Sequence, residues 1–166
     1  MDERDTVKIT YRKKTRELLM RIVFQMASTS DFSDEAKQAY LADTSLYLGN
    51  VQEEVPPGCI FDEPAGECPD FAYLNWAFSC LKDHLPEIDS TISAASEGWS
   101  VQRIGATELA ILRVAATEIM FIEDIDIGVS VNEAVLMAKR YASEKSASFI
   151  NGVLGTIARQ KKGIPA

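Results

Sequence analysis

The stretch 101-VQRIGATELAILRVAATEIMFI-122 is the most apolar part of the chain. Ile104, Leu109, Ile111, Leu112, Val114, Ala115, Ile119 and Met120 cover more than one face of a helix, which predicts a central helix over 101–122 buried on several sides. A helix of that kind needs amphipathic neighbours, and they stand on both sides of it. Upstream, Leu18, Leu19, Ile22, Val23 and Met26 form one apolar stripe on a helix from Tyr11 to Ala27. Ser33 and Asp34 can cap a second helix running to about Leu48, and Phe71, Leu74, Trp76, Phe78 and Leu81 mark a third that stops near His84, because Pro86 disfavours helical geometry at Leu85. A short fourth helix carries Ile88 and Ile92. Downstream, Ser130 and Glu133 fit the S-x-x-E capping box, so a sixth helix is expected from Val131 to about Tyr141. Ser143 can cap the seventh, which carries Phe149, Ile150, Val153, Leu154 and Ile157. Strand alternation of useful length is absent, and the chain reads as all-α with seven helices.

Between the second and third helices, 51–69 holds Pro56, Pro57, Gly58, Pro64, Gly66 and Pro69 with several acids and no base, an acidic surface loop. Hydrophobic residues make up 46% and charged residues 25% of the 166, which excludes disordered and fibrous classes. Apolar runs of about 18 residues do not occur and the residues after Met1 are charged, so neither a membrane span nor a secretory signal is expected and the chain is assigned to the cytoplasm.

The net charge of −8 is divided along the chain. Residues 1–21 sum to +3, residues 139–166 to +5, and residues 22–138 to −16. Two partner surfaces of opposite preference, or simply solvated basic ends, would each produce this pattern. In the run 11-YRKKTRE-17, Arg12 and Arg16 share a helix face with Lys13 beside them. Cations near a helix start oppose the macrodipole, and a phosphate-backbone ligand would offset the cost; on this run alone a solvated face is the commoner reading, because basic helix starts are frequent.

Catalytic constellations are missing. The single His84 has no evident partner and reads as a solvated or capping residue. Cys59, Cys68 and Cys80 lack C-x-x-C spacing and are odd in number, which supports neither zinc nor disulfides, and Cys80 reads as a core thiol. Phosphate-binding glycine loops and metal-ligand spacings are also lacking. An enzyme is disfavoured and no cofactor is expected.

Three further segments carry a family likeness: 131-VNEAV-135, 138-AKRY-141 and 149-FINGVL-154. With the basic first helix ending in Phe24-Gln25, and Leu112-Arg113-Val114-Ala115 ahead of Glu118, this set resembles the NusB family of bacterial transcription antitermination factors. The likeness covers the first helix and 102–158. It implies an all-helical fold of two small packed bundles: one NusB-like domain over 1–166, with an N-terminal subdomain of about 1–84 that includes a variable acidic loop at 50–70. A C-terminal subdomain of about 85–160 would follow, then a flexible basic tail at 161–166. It implies binding of boxA-type RNA from ribosomal RNA leaders, pairing with a NusE-type ribosomal protein, and a place in the RNA polymerase antitermination complex.

On the resemblance, the RNA-contacting arginine-rich start falls on Arg12, Lys13, Lys14 and Arg16, and the aromatic placed near RNA falls on Phe149. The glutamate that meets the NusE-type partner falls on Glu108, with Arg113 and Glu118 on following turns. From its neighbours alone Phe149 reads as core, Asn132 and Glu133 as helix caps, and Asn151-Gly152 as room for a close helix crossing. Asp126 and Gly128 stand where the family often has proline and lysine, and Lys13 and Lys14 replace arginines, losing the planar fork that grips phosphate. The alternative function is a helical assembly domain without RNA contact, including a homodimer through the same face.

Overall fold

The computed structural model describes residues 3–48, 69–97 and 99–163. Residues 50–68 of the acidic loop expected at 50–70, with Cys59 and Cys68, lie outside them, as do the last three residues of the expected tail; Pro69 and Asp70, expected to end the loop, are the first residues of a helix. Among the described residues there are seven α-helices and no strand. They are α1 (Glu3–Thr29), α2 (Asp34–Leu48), α3 (Pro69–Asp83), α4 (Leu85–Ala95), α5 (Ala106–Phe121), α6 (Ile127–Tyr141) and α7 (Glu144–Lys161). The chain divides into two compact units, Met1–Phe78 and Ser79–Ala166, with the division inside α3.

In the first unit, α1 buries the whole predicted stripe of Leu18, Leu19, Ile22, Val23 and Met26. Full burial of each such side chain is worth about 1.5–3 kcal/mol. Ser33 caps α2, its hydroxyl accepting from the Ala36 N–H (3.1 Å). Just upstream, hydrogen bonds from Ser33 hold the exposed Asp31 carboxyl below its usual range. The buried Lys37 of α2 donates from Nζ to Asn75 Oδ1 (2.9 Å) and lies over the Phe78 ring, which ties α2 to α3.

In the second unit, α5 is the central helix: every residue from Ala110 to Ile119 is buried, and α4, α6 and α7 all pack against it. The apolar segment is not one helix from Val101, however. Val101–Arg103 form a single 3₁₀ turn, and Ile104 and Gly105 are extended before α5 starts. Ile104 is buried in that extended form, and β-branched Ile followed by Gly is a poor helix start.

The start of α6 also differs from expectation. Asp126 is its N-cap, accepting from the Gly128 N–H (2.7 Å), so the helix begins four residues earlier than the capping-box reading placed it. Ser130 is buried inside the helix, and Asn132 and Glu133 lie within it as well. Ser143 caps α7 as expected, accepting from the Ser146 N–H (3.0 Å). Lys161 is still helical and its Nζ donates to the Met120 carbonyl (3.1 Å), so the end of α7 is anchored where a flexible tail was expected to begin.

Candidate functional site

The basic run of the first unit lies well inside α1, because the helix starts at Glu3. The macrodipole therefore gives no reason to expect a ligand there, since its effect fades within the first turn. Lys13 is exposed, and Arg12 and Lys14 are half-buried. Arg16 is only 3% exposed, and it and Arg12 flank the buried Tyr73 ring, with guanidinium carbons 5.6 and 5.2 Å from its centroid. Cation–π contacts of this kind bind the arginines to the protein's own aromatic. Of the expected RNA-contacting set on α1, Arg16 is thus a packing residue, whereas Arg12, Lys13 and Lys14 keep access to solvent.

In the second unit, a groove of about 860 Å³ is lined by the segment from Ala94 to Gly105, the first turn of α5 and one face of α7. Phe149 lies on it and is 37% exposed, although its neighbours Ala147, Ile150 and Val153 are buried. The core reading of Phe149 from its neighbours is therefore overturned: helical periodicity turns 150, 153 and 154 inward and 149 outward. Trp99 shares the groove and is 55% exposed. Arg103, Lys145 and Arg159 also line it, and among the described residues none of the three has an ion-pair partner.

Glu108 enters the groove from the first turn of α5, where a carboxylate complements the helix dipole. One carboxylate oxygen accepts from Ser146 Oγ (2.6 Å), and the group folds back over Gly105, where a Cβ would collide with it. The structure thus brings Glu108 and Phe149 to one groove although 41 positions separate them in sequence. Gly152 lies on the same groove, exposed, and a Cβ built there meets nothing within 4 Å. It does not serve a close helix crossing.

Arg113 and Glu118 depart from their expected partner-binding role. Arg113 is 7% exposed and donates through Nε and Nη2 to both oxygens of Asp89, each at 2.8 Å, a two-pronged bridge from α5 to α4. Glu118 is fully buried and accepts from Ser130 Oγ (3.0 Å), joining α5 to α6. These side chains are committed to holding the unit together, and the sequence carries a signal of it: each interrupts the most apolar segment of the chain. Trp99 and Arg103 give no comparable signal, since they come from another segment and their convergence with α7 is tertiary; Lys145, Gly152 and Arg159 share one face of α7 with Phe149 by helical spacing, and Gly152 belongs to the FINGVL motif.

The remaining singular residues are occupied in ways unrelated to the groove. His84 stands at the N-cap position of α4 without a side-chain capping bond; its ring stacks on Phe121 at 4.2 Å. Cys80 is half-buried and not fully in the core, and burial, reinforced by Asp83, pushes its thiol pKa up, away from the reactive thiolate. Among the described residues, groups of three His, Cys, Asp or Glu placed to hold a metal are absent, and no helix is long and apolar enough to cross a membrane.

Fold and groove together define an all-helical protein of two compact units, with seven helices among the described residues, that presents aromatic and basic side chains on the C-terminal unit. The model of the NusB family matches residues 13–159. Transcription antitermination protein NusB of Natranaerobius thermophilus is 34% identical over 149 residues, covering 90% of this chain and 95% of its own. That of Clostridium botulinum is 35% identical over 144 residues, covering 87% and 96%. A T. maritima NusB structure superposes with a TM-score of 0.68 at 26% identity, over 92% of this chain and 97% of that one. A structure of antitermination factors NusB and NusE in complex with dsRNA shares the fold, with a TM-score of 0.70 at 22% identity over 91% and 98%. The chain belongs to the NusB family.

Proposed function

We propose that this chain is a transcription antitermination factor that binds boxA-like single-stranded RNA together with a NusE-type ribosomal protein and so supports transcription of ribosomal RNA operons. It works in the cytoplasm as part of the RNA polymerase antitermination complex, by binding alone, with neither catalysis nor a cofactor. Arg12, Lys13 and Lys14 supply backbone charge, Phe149 offers a stacking surface, and Glu108 docks the basic partner. The observation that carries this reading is the outward-facing Phe149 on a groove whose three cations have no ion-pair partner among the described residues. An exposed aromatic among cations is the arrangement that binds unpaired bases and their phosphates.

The reading is tested by fluorescence anisotropy with a boxA oligonucleotide across a salt series. The double substitution Arg12→Glu, Lys13→Glu is expected to weaken binding and to flatten the logarithmic salt dependence by about 0.7 for each phosphate that is no longer neutralised. Arg16 is left intact, because reversing a buried charge would report on folding. Unchanged affinity and slope would remove α1 from the RNA surface. A dimer that RNA does not dissociate in light scattering would favour the assembly-domain alternative.

A further inference from the structure

Among the described residues, large apolar side chains are exposed singly on α1, α3 and α7 and in the link after α4, but α6 carries two, Val129 at 46% and Leu136 at 39% exposed. Single exposed apolar groups are ordinary, whereas a row of them marks a contact surface. These two stand seven residues apart, about two turns or ~10.5 Å along the helix, with the exposed Asn132 between them. On its other side α6 packs against α5 and α7, which buries Ser130, Ala134, Met137 and Ala138. Val129, Asn132, Leu136 and Lys139 follow the alternating three- and four-residue spacing of a seam between two helices. No residue of α6 lines the groove, so this strip is separate from the site described above.

The charges at its two ends select the partner. Glu123, Asp124 and Asp126 are exposed at the N-terminal end of the strip, and Lys139 and Arg140 are exposed at its C-terminal end. Charges so placed also suit the helix dipole, but the dipole does not account for the apolar pair between them. A partner for the strip needs cations opposite the acids, acids opposite the cations, and apolar groups in the middle. The same helix turned end for end has that order, so the strip is complementary to itself. Asn132 suits its centre, because an amide both donates and accepts, and one polar pair in an apolar seam fixes the register. We propose that α6 is a self-association surface on which a second copy of this chain docks antiparallel, with Val129 and Leu136 of each protomer covered by the other and the acidic end of each strip beside the cationic end of its partner. One helix from each protomer buries less than about 1,200 Å², so the pairing is weak and reversible, with a Kd on the order of 100 μM. It does not depend on the RNA-binding reading, and it leaves the groove open.

Sedimentation equilibrium of the full chain from about 10 μM to about 1 mM tests the pairing, and a reversible monomer–dimer equilibrium is expected. Leu136→Glu, at an exposed helix position, is expected to raise Kd about tenfold or more with an unchanged melting temperature. Because an α6 dimer persists with RNA bound, the light-scattering test of the RNA-binding reading is made on Leu136→Glu, which separates failure of that reading from failure of the pairing. Reversing one end of the strip in each of two variants tests the orientation. Glu123→Lys with Asp124→Lys, and Lys139→Glu with Arg140→Glu, each set like charges against one another in a homodimer, while Asp126 is left in place as the cap of α6. Each variant alone is expected to be monomeric, and their equimolar mixture is expected to pair at least as tightly as the parent. A parent that stays monomeric at about 1 mM, or a mixture that does not pair, would overturn the proposal. So would self-association that survives Leu136→Glu and is lost in Phe149→Ala, which would move the contact to the groove.

Discussion

The middle of α5 and its first turn belong to one helix, yet their charges are spent differently. Arg113 and Glu118 are enclosed and matched to Asp89 and Ser130, whereas Glu108 stands half-exposed on a groove with three cations that lack ion-pair partners among the described residues. A charge taken out of water must be matched inside the protein, and once matched it has little left to offer a ligand. The same contrast recurs on α1, where Arg16 is buried beside Tyr73 and Lys13 is exposed. Charged residues on one helix therefore have to be sorted by burial before any is given a binding role.

The strongest way to break this contrast is to delete the enclosed pairs. Arg113→Ala leaves the Asp89 carboxylate without its fork, and Glu118→Ala leaves a buried hydroxyl without its acceptor beside a cavity. Each is expected to lower unfolding free energy in urea by about 2–4 kcal/mol, with RNA and partner binding intact in the folded fraction. Full stability combined with a failure to bind the partner would put these residues back on the surface.

A smaller effect on folding and a larger one on recognition are expected at Glu108. Glu108→Lys should change stability by less than about 1 kcal/mol, because the carboxylate is half-exposed, yet weaken binding of the NusE-type protein at least tenfold, about 1.4 kcal/mol. Calorimetric titration giving the parent's Kd would exclude the docking role.

The smallest effect sharpens the boundary of α6. Asp126→Ala should cost about 1 kcal/mol by removing the cap, while Glu133→Ala should cost less than about 0.5 kcal/mol, as a position inside the helix would. The reverse order in thermal melts would restore the capping box at Ser130.

Much of the fold is legible in the sequence because helical periodicity is local. The stripe on α1, the buried face of α7 and the caps at Ser33 and Ser143 all follow from residues within a few positions of one another. At the start of α6 two caps compete in the sequence, Asp126 and Ser130, and the choice rests on Glu118, which draws Ser130 into the core from another helix. The break before α5 is hidden for a similar reason, since composition alone does not distinguish an apolar residue buried in a helix from Ile104 buried in an extended link.

At the site, the family motifs point to Phe149 and Glu108, and both lie on the groove. Lys145, Gly152 and Arg159 share the Phe149 face of α7 by helical spacing, whereas Trp99 and Arg103 join them from a separate segment that no spacing in the chain announces.

By itself, the sequence determined the number and order of the helices among the described residues, how charge is divided along the chain, and, through its motifs, the family. Tertiary structure decided which charges are consumed inside the protein and which line the groove. Burial depends on what other elements supply at each position, and residues distant in sequence acquire common neighbours only when helices pack.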